Sequence, residues 1–132
     1  KHWDRRDLDA RTYRTQTATQ PEDWNHQQVA RDAAKLAREG LIVTLGAHGQ
    51  LQGLGVHWEL WALGGPGAMS PMEALRAGTI DGARYLGMEN TLGSITAGKL
   101  ADLVILNGDP RENLEQSTDI HMVIKNGAIV TD

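Results

Sequence analysis

The segment Gly40-Leu41-Ile42-Val43-Thr44-Leu45-Gly46 constrains this chain more than any other. A short apolar run rich in β-branched residues, bounded by glycines, suits a strand covered on both faces, as in a parallel sheet flanked by helices. A helical pattern stands directly before it. Val29, Ala33, Leu36 and Ala37 recur at helical spacing, Pro21 suits a first turn, and Glu22 and Asp23 complement the positive end of a helix dipole. With Gly40 as the stop, the pattern predicts a helix over about residues 22–39. Directly after the apolar run, residues 46–57 hold four glycines, two histidines and two glutamines. Helix, glycine, buried strand and polar loop make the rhythm of a βα unit, and parallel α/β folds place their chemistry where strands end.

Farther on, Ser70-Pro71-Met72-Glu73 is a capping box with proline at the first helical position. Met72, Leu75, Ile80, Ala83 and Leu86 predict the buried side of one helix running to about residue 86, closed by Gly87. Residues 92–99 form a turn-rich connector, and Ala101 to Leu106 reads as a strand followed by the turn Asn107-Gly108-Asp109-Pro110. Met122–Lys125 and Ala128–Val130 flank Asn126-Gly127, a strong two-residue hairpin signal. Residues 1–20 are polar and without period, and are expected to be a connector. The absence of Phe and the 15 glycines agree with a tightly turned α/β chain.

The formal net charge of −4 gives no electrostatic footprint for nucleic acid or an anionic membrane. No apolar run approaches the roughly 20 residues needed to span a bilayer, and nothing resembles a signal peptide. There are no cysteines, which removes thiolate–metal and disulfide chemistry and fits cytoplasm and periplasm alike. The compartment therefore stays open. The start at Lys1-His2-Trp3-Asp4, without methionine, reads as a cut through a longer protein.

The run Leu92-Gly93-Ser94-Ile95-Thr96-Ala97-Gly98-Lys99-Leu100-Ala101-Asp102-Leu103-Val104-Ile105-Leu106, with Asp109-Pro110 after it and Val123 to Gly127 beyond, resembles the closing signature of the amidohydrolase superfamily. Upstream, Met69 to Thr79 is similar to the helix that precedes this signature in imidazolonepropionase-like and prolidase-like members, and His57 and Glu59 to a nearby "H-EL" element. The wording Gly46-Ala47-His48-Gly49-Gln50 and His57-Trp58-Glu59-Leu60-Trp61 is most similar to a bacterial subgroup with a TolB-like propeller. The resemblance covers about residues 21–132. It implies the last βα portion of a (β/α)8 metallo-dependent hydrolase barrel, residues 21–91, with Leu41–Leu45 as the last barrel strand. Residues 92–132 would supply strands of a small composite β-sandwich. It also implies a divalent metal, zinc by family habit, that activates water against a C–N bond in an amide, cyclic amide or dipeptide-like small molecule.

The family's His-x-His pair is absent here, and its other ligands would lie before Lys1. The aspartate expected just past the last strand is replaced, since the matching triplet is Gly46-Ala47-His48. Imidazole can bind zinc or act as a base, which makes His48 the candidate catalytic and metal-binding residue, beside the alternative of a loop histidine. His57 and Glu59 are candidates for substrate contact, beside a loop-holding or helix-capping role. Gln50 and Gln52 read as solvated, and Lys99 and Asp102 as structural. A lone ligand does not hold zinc, so the isolated chain is expected to carry no metal and to be inactive. Two readings follow: a C-terminal piece of a working amidohydrolase, or a degenerate amidohydrolase domain serving as scaffold. The expected partners are the rest of the parent chain and further copies of this one, because an uncovered barrel strand exposes its edges.

Overall fold

The computed structural model describes residue 20, residues 25–48 and residues 51–130. Pro21, Glu22, Asp23, Gln50 and the connector 1–19 lie outside them. Among the described residues four α-helices come first: α1 (Asn25–Arg38), α2 (Gly55–Leu63), α3 (Pro71–Ala77) and α4 (Ile80–Tyr85). Then come strand β1 (Leu103–Leu106), a 3-10 helix (Leu114–Thr118), β2 (Ile120–Lys125) and β3 (Ala128–Ile129). The strands form one antiparallel sheet in the order β1-β2-β3. Leu103 pairs with Ile124 and Ile105 with Met122, and the register shifts between Ile105 and Leu106.

The core is built from small residues. Ala30 and Ala34 of α1, Leu60 and Leu63 of α2, Ala74 and Ala77 of α3, with Ala68, Met69 and Leu114, form one buried cluster. Alanines at helix contacts let backbones approach closely, at the expense of apolar area per residue. This rotates α1 away from the expected stripe: Val29 and Leu36 are exposed, while Ala30 and Ala34 face inward. Downstream, Met72 and Leu86 are likewise exposed while Ala74 and Ala77 are buried, whereas Ala83 is buried and Leu75 packs on the core as expected.

The strand expected at Leu41–Leu45 does not form. A strand exists only where a neighbour completes its ladder, and among the described residues none lies beside this segment. Val43 and Leu45 still pack on the core, while Leu41 and Ile42 stay more than half exposed. The single helix expected to reach residue 86 is two helices. Gly78 closes α3, and Thr79 leaves helical geometry at φ −130° and ψ −96° while its hydroxyl donates back to the Leu75 carbonyl at 2.7 Å. A low-propensity glycine followed by a hydroxyl that competes for backbone partners suffices to break the helix.

Other expectations hold. Ser70 Oγ accepts from the Glu73 amide at 3.3 Å and Glu73 Oε2 from the Ser70 amide at 2.7 Å, which completes the capping box with Pro71 behind it. Gly87 ends α4 at φ +68°. Asn126 and Gly127 both take positive φ, +50° and +81°, as a two-residue turn between twisted strands requires.

Glu73 does more than cap. The Arg38 guanidinium donates to both of its oxygens at 3.1 Å, tying the end of α1 to the start of α3. These bonds to Arg38, with those from Ser70, lower the carboxyl from 4.5 to about 2. A depressed acid stabilises the fold above its unfolded pKa and loses that contribution as pH falls through the folded value. Between pH 5 and pH 2, Glu73→Gln should therefore lose less stability than the parent. The difference should be about 1 kcal/mol, small because the pair is largely solvated. Urea midpoints at the two pH values measure it; identical losses would remove this role.

Candidate functional site

The glycine-rich stretch is not open loop throughout, because its last three residues, Gly55 to His57, begin α2. Leu51 starts the turn, accepting from the Gly55 amide at 2.7 Å, and Gly55 opens the helix. Alternation of polar and apolar residues hid this helix. In Val56-His57-Trp58-Glu59-Leu60-Trp61 no charged face stands opposite an apolar one, because both sides of the helix are packed. Leu60 and Leu63 enter the core.

The other side of α2 meets the 3-10 helix. Trp61 Nε1 donates to the Leu114 carbonyl at 2.8 Å and lies 3.1 Å from Ser117 Oγ. His57 Nδ1 stands 2.9 Å from the same hydroxyl. Ser117, buried, is thus shared between two side chains one turn apart. Burial lowers the His57 pKa below its usual value, which keeps the ring neutral at physiological pH. Leu114 fills the notch at the end of α2, with its Cδ1 only 2.0 Å from where a Cβ on Gly64 would stand.

His48 lies on the exposed face of the loop that leads into α2, at φ +55°, a left-handed conformation uncommon outside glycine. Two residues before it, the Gly46 amide donates to Glu59 Oε2 at 2.6 Å. Ala47 rests against the start of α2, its Cβ 3.3 Å from the position a Cβ on Gly55 would take. The structure therefore gathers His48 and Glu59 about one loop. It turns His57 to the opposite contact, with Ser117. Sequence reasoning missed Ser117 and Trp61 as partners of His57, since nothing in a local window shows a pairing 60 residues away.

A cleft of about 360 Å³ opens between α1 and α2, lined by His26, Gln27, Ala30, Trp58 and Trp61 among others. His48 is not among its walls, so the cleft and the loop are separate features. Among the described residues no group of three His, Asp or Glu side chains could hold a metal ion. Lys99 and Asp102 have structural work instead. The Lys99 ammonium donates to the Glu89 carbonyl, to the Leu92 carbonyl at 3.4 Å and to Ser94 Oγ at 2.6 Å, closing the connector upon itself. Asp102 accepts from the Asn126 amide at 2.7 Å and pairs with Lys125, pinning the hairpin to β1.

The family model described as "Amidohydrolase family" matches residues 25–130. A 5-methylthioadenosine/S-adenosylhomocysteine deaminase of Symbiobacterium thermophilum is 32% identical over 110 residues, covering 75% of this chain and 25% of that protein. An imidazolonepropionase of the same organism is 37% identical over 67 residues, 48% of this chain and 16% of that one. Among solved structures, a Xaa-Pro dipeptidase with methionine in its active site aligns over 80% of this chain and 26% of its own, at TM-score 0.68 and 29% identity. An amidohydrolase from Thermotoga maritima aligns over 77% and 26%, at TM-score 0.65 and 27% identity. The chain spans about a quarter of the length of these solved structures and of the deaminase.

Proposed function

The chain belongs to the amidohydrolase family, and on that premise we propose that it forms the last part of a hydrolase acting on C–N bonds of an amide, cyclic amide or dipeptide-like small molecule. The observation that carries the reading is the extent of the family match, which runs through the helices and the sheet alike. The matched proteins are named deaminases, imidazolonepropionases and dipeptidases, chemistries that share attack of water on carbon bonded to nitrogen. Residues 25–91 would belong to the barrel of the complete protein and 92–130 to its companion β-domain.

Enzymes of this superfamily generally use a divalent metal, which activates the attacking water. The described residues do not make such a site by themselves. A catalytic zinc needs about three protein ligands, and among the described residues no group of three histidine or carboxylate side chains includes His48. No step is assigned to a metal on this chain. We assign His48 contact with substrate or reacting water, as a proton acceptor or as one ligand completed elsewhere in the full protein, and its exposed position supports this role. Glu59 and His57 are each engaged with a partner inside the chain, Glu59 with the Gly46 amide of the His48 loop and His57 with Ser117 on the other side of α2.

The 132 residues alone are expected to show no turnover. In the full encoded protein His48→Ala should lower kcat/KM by about 100-fold or more, within the range for loss of a positioned acid or base, with the circular dichroism unchanged. Unchanged turnover and metal content would remove His48 from the chemistry. A second reading, a degenerate domain kept as scaffold, draws on one observation: an exposed histidine stands where the family signature places an aspartate. An inactive full-length protein that binds no metal would establish it.

A further inference from the structure

We propose that Glu59 is a positioning residue: by capturing the Gly46 amide, its carboxylate fixes the turn that presents His48. The proposal deepens the reading of His48 given above and rests on it for its bearing on catalysis. Three observations converge. The contact is short, 2.6 Å between Gly46 N and Glu59 Oε2, and joins residues 13 apart. A carboxylate accepting from a backbone amide is roughly twice as strong as a neutral pair. His48 holds a left-handed backbone, φ +55°, which is unfavourable for a non-glycine residue and persists where neighbours impose it. Between the two, Ala47 lies close to Gly55, its Cβ 3.3 Å from where a Cβ on that glycine would stand.

The support for Glu59 is itself rigid. Two residues to either side of it on α2, and so on the opposite face, His57 and Trp61 meet Ser117, and Trp61 also reaches the Leu114 carbonyl. The carboxylate is therefore carried on a helix that is anchored on its far side, and it reaches back to the loop from there. Gly46 is held, Ala47 is packed, and His48 projects as the next residue. In chemical terms this is what a reactive group on a glycine-rich loop requires, since a misplacement of about 1 Å at such a group can lower a rate about 100-fold.

The test uses nuclear magnetic resonance of the full chain, with kinetics of the complete protein beside it. Glu59→Ala should speed hydrogen exchange at the Gly46 amide about tenfold or more and move the Ala47 and His48 amide resonances, while the Trp61 indole signal stays in place. Glu59→Gln keeps an oxygen acceptor and should retain most of the protection. Glu59→Asp keeps the charge but falls short of Gly46, and should behave as the alanine variant; it decides the matter if Glu59→Ala does not fold. Unchanged exchange and resonances in Glu59→Ala or Glu59→Asp overturn the proposal. In the kinetics, Glu59→Ala should lower kcat more than it alters KM and add nothing in a His48→Ala background. Additive losses overturn the link to His48. If His48→Ala leaves turnover intact, the functional reading falls, and the link to catalysis falls with it, while the exchange data still report on the latch.

Discussion

Replacing Gly93 by alanine should destabilise the protein by about 2–4 kcal/mol, enough to lower the melting temperature by roughly 10 °C. Two independent costs add at this position. Gly93 sits at φ +86°, a backbone conformation that residues with a Cβ rarely adopt. A Cβ built there would stand 2.6 Å from the Ala83 Cβ, 3.0 Å from the Ile80 Cα and 3.1 Å from the Thr79 oxygen. Two of these atoms are backbone and the third is bonded directly to it, so no rotamer change relieves the overlap. The connector after α4 crosses the start of that helix at this point. The substitution must lift one off the other. Gly98 provides the control: it also has positive φ, +91°, but nothing within 4 Å of a built Cβ, so Gly98→Ala should cost about 1 kcal/mol. Thermal unfolding of the two variants side by side separates strain from collision. Equal losses would show that collision contributes nothing.

Leu114→Ala should destabilise by about 2–4 kcal/mol, through lost burial and the cavity left behind. Leu114 is 7% exposed and is the residue from the 3-10 helix that enters the core, filling the notch opened by Gly64. Among the core residues it alone comes from beyond residue 77. Its truncation would loosen the contact between α2 and the 3-10 helix and leave polar bonds to carry it, those of Trp61 to the backbone carbonyl of residue 114 and of Trp61 and His57 to Ser117. Chemical unfolding checks the magnitude, and the Trp61 indole resonance checks the locus. A loss below about 1 kcal/mol would mean that the site collapses around the shorter side chain.

What could be read from the sequence was local chemistry. The capping box at Ser70 and Glu73, the glycine stop at Gly87 and the hairpin turn at Asn126-Gly127 depend on a few neighbouring residues, and each forms as expected. The family itself was legible in the signature from Leu92 to Pro110, and the comparisons bear that out. Elements that depend on distant partners were not legible. Leu41–Leu45 has the composition of a buried strand, yet a strand is a property of a pair, and no neighbour accompanies it among the described residues. Helix α2 was hidden by glycines at Gly53 and Gly55 and by the alternation of polar and apolar residues from Val56 to Trp61. The inward faces of α1 and α3 were legible in part: Ala33, Ala37 and Leu75 pack against the core as expected, while Val29, Leu36 and Met72 stay exposed and Ala30, Ala34, Ala74 and Ala77 are buried instead. At the candidate site, His48, His57 and Glu59 stood out by residue type. Their division into loop and anchor came only from the bonds to Gly46 and Ser117.

The hydroxyl of Ser117 carries a consequence for the order of events during synthesis. Its two bonds join residues 60 and 56 positions apart, and the Trp61 bond to Leu114 spans 53. Closing loops of that length costs entropy that only the completed contact returns. On the ribosome, α2 and the turn bearing His48 therefore wait for a segment translated about fifty residues later before they are secured. A nascent chain stalled short of that segment has made the candidate residue without the means to aim it.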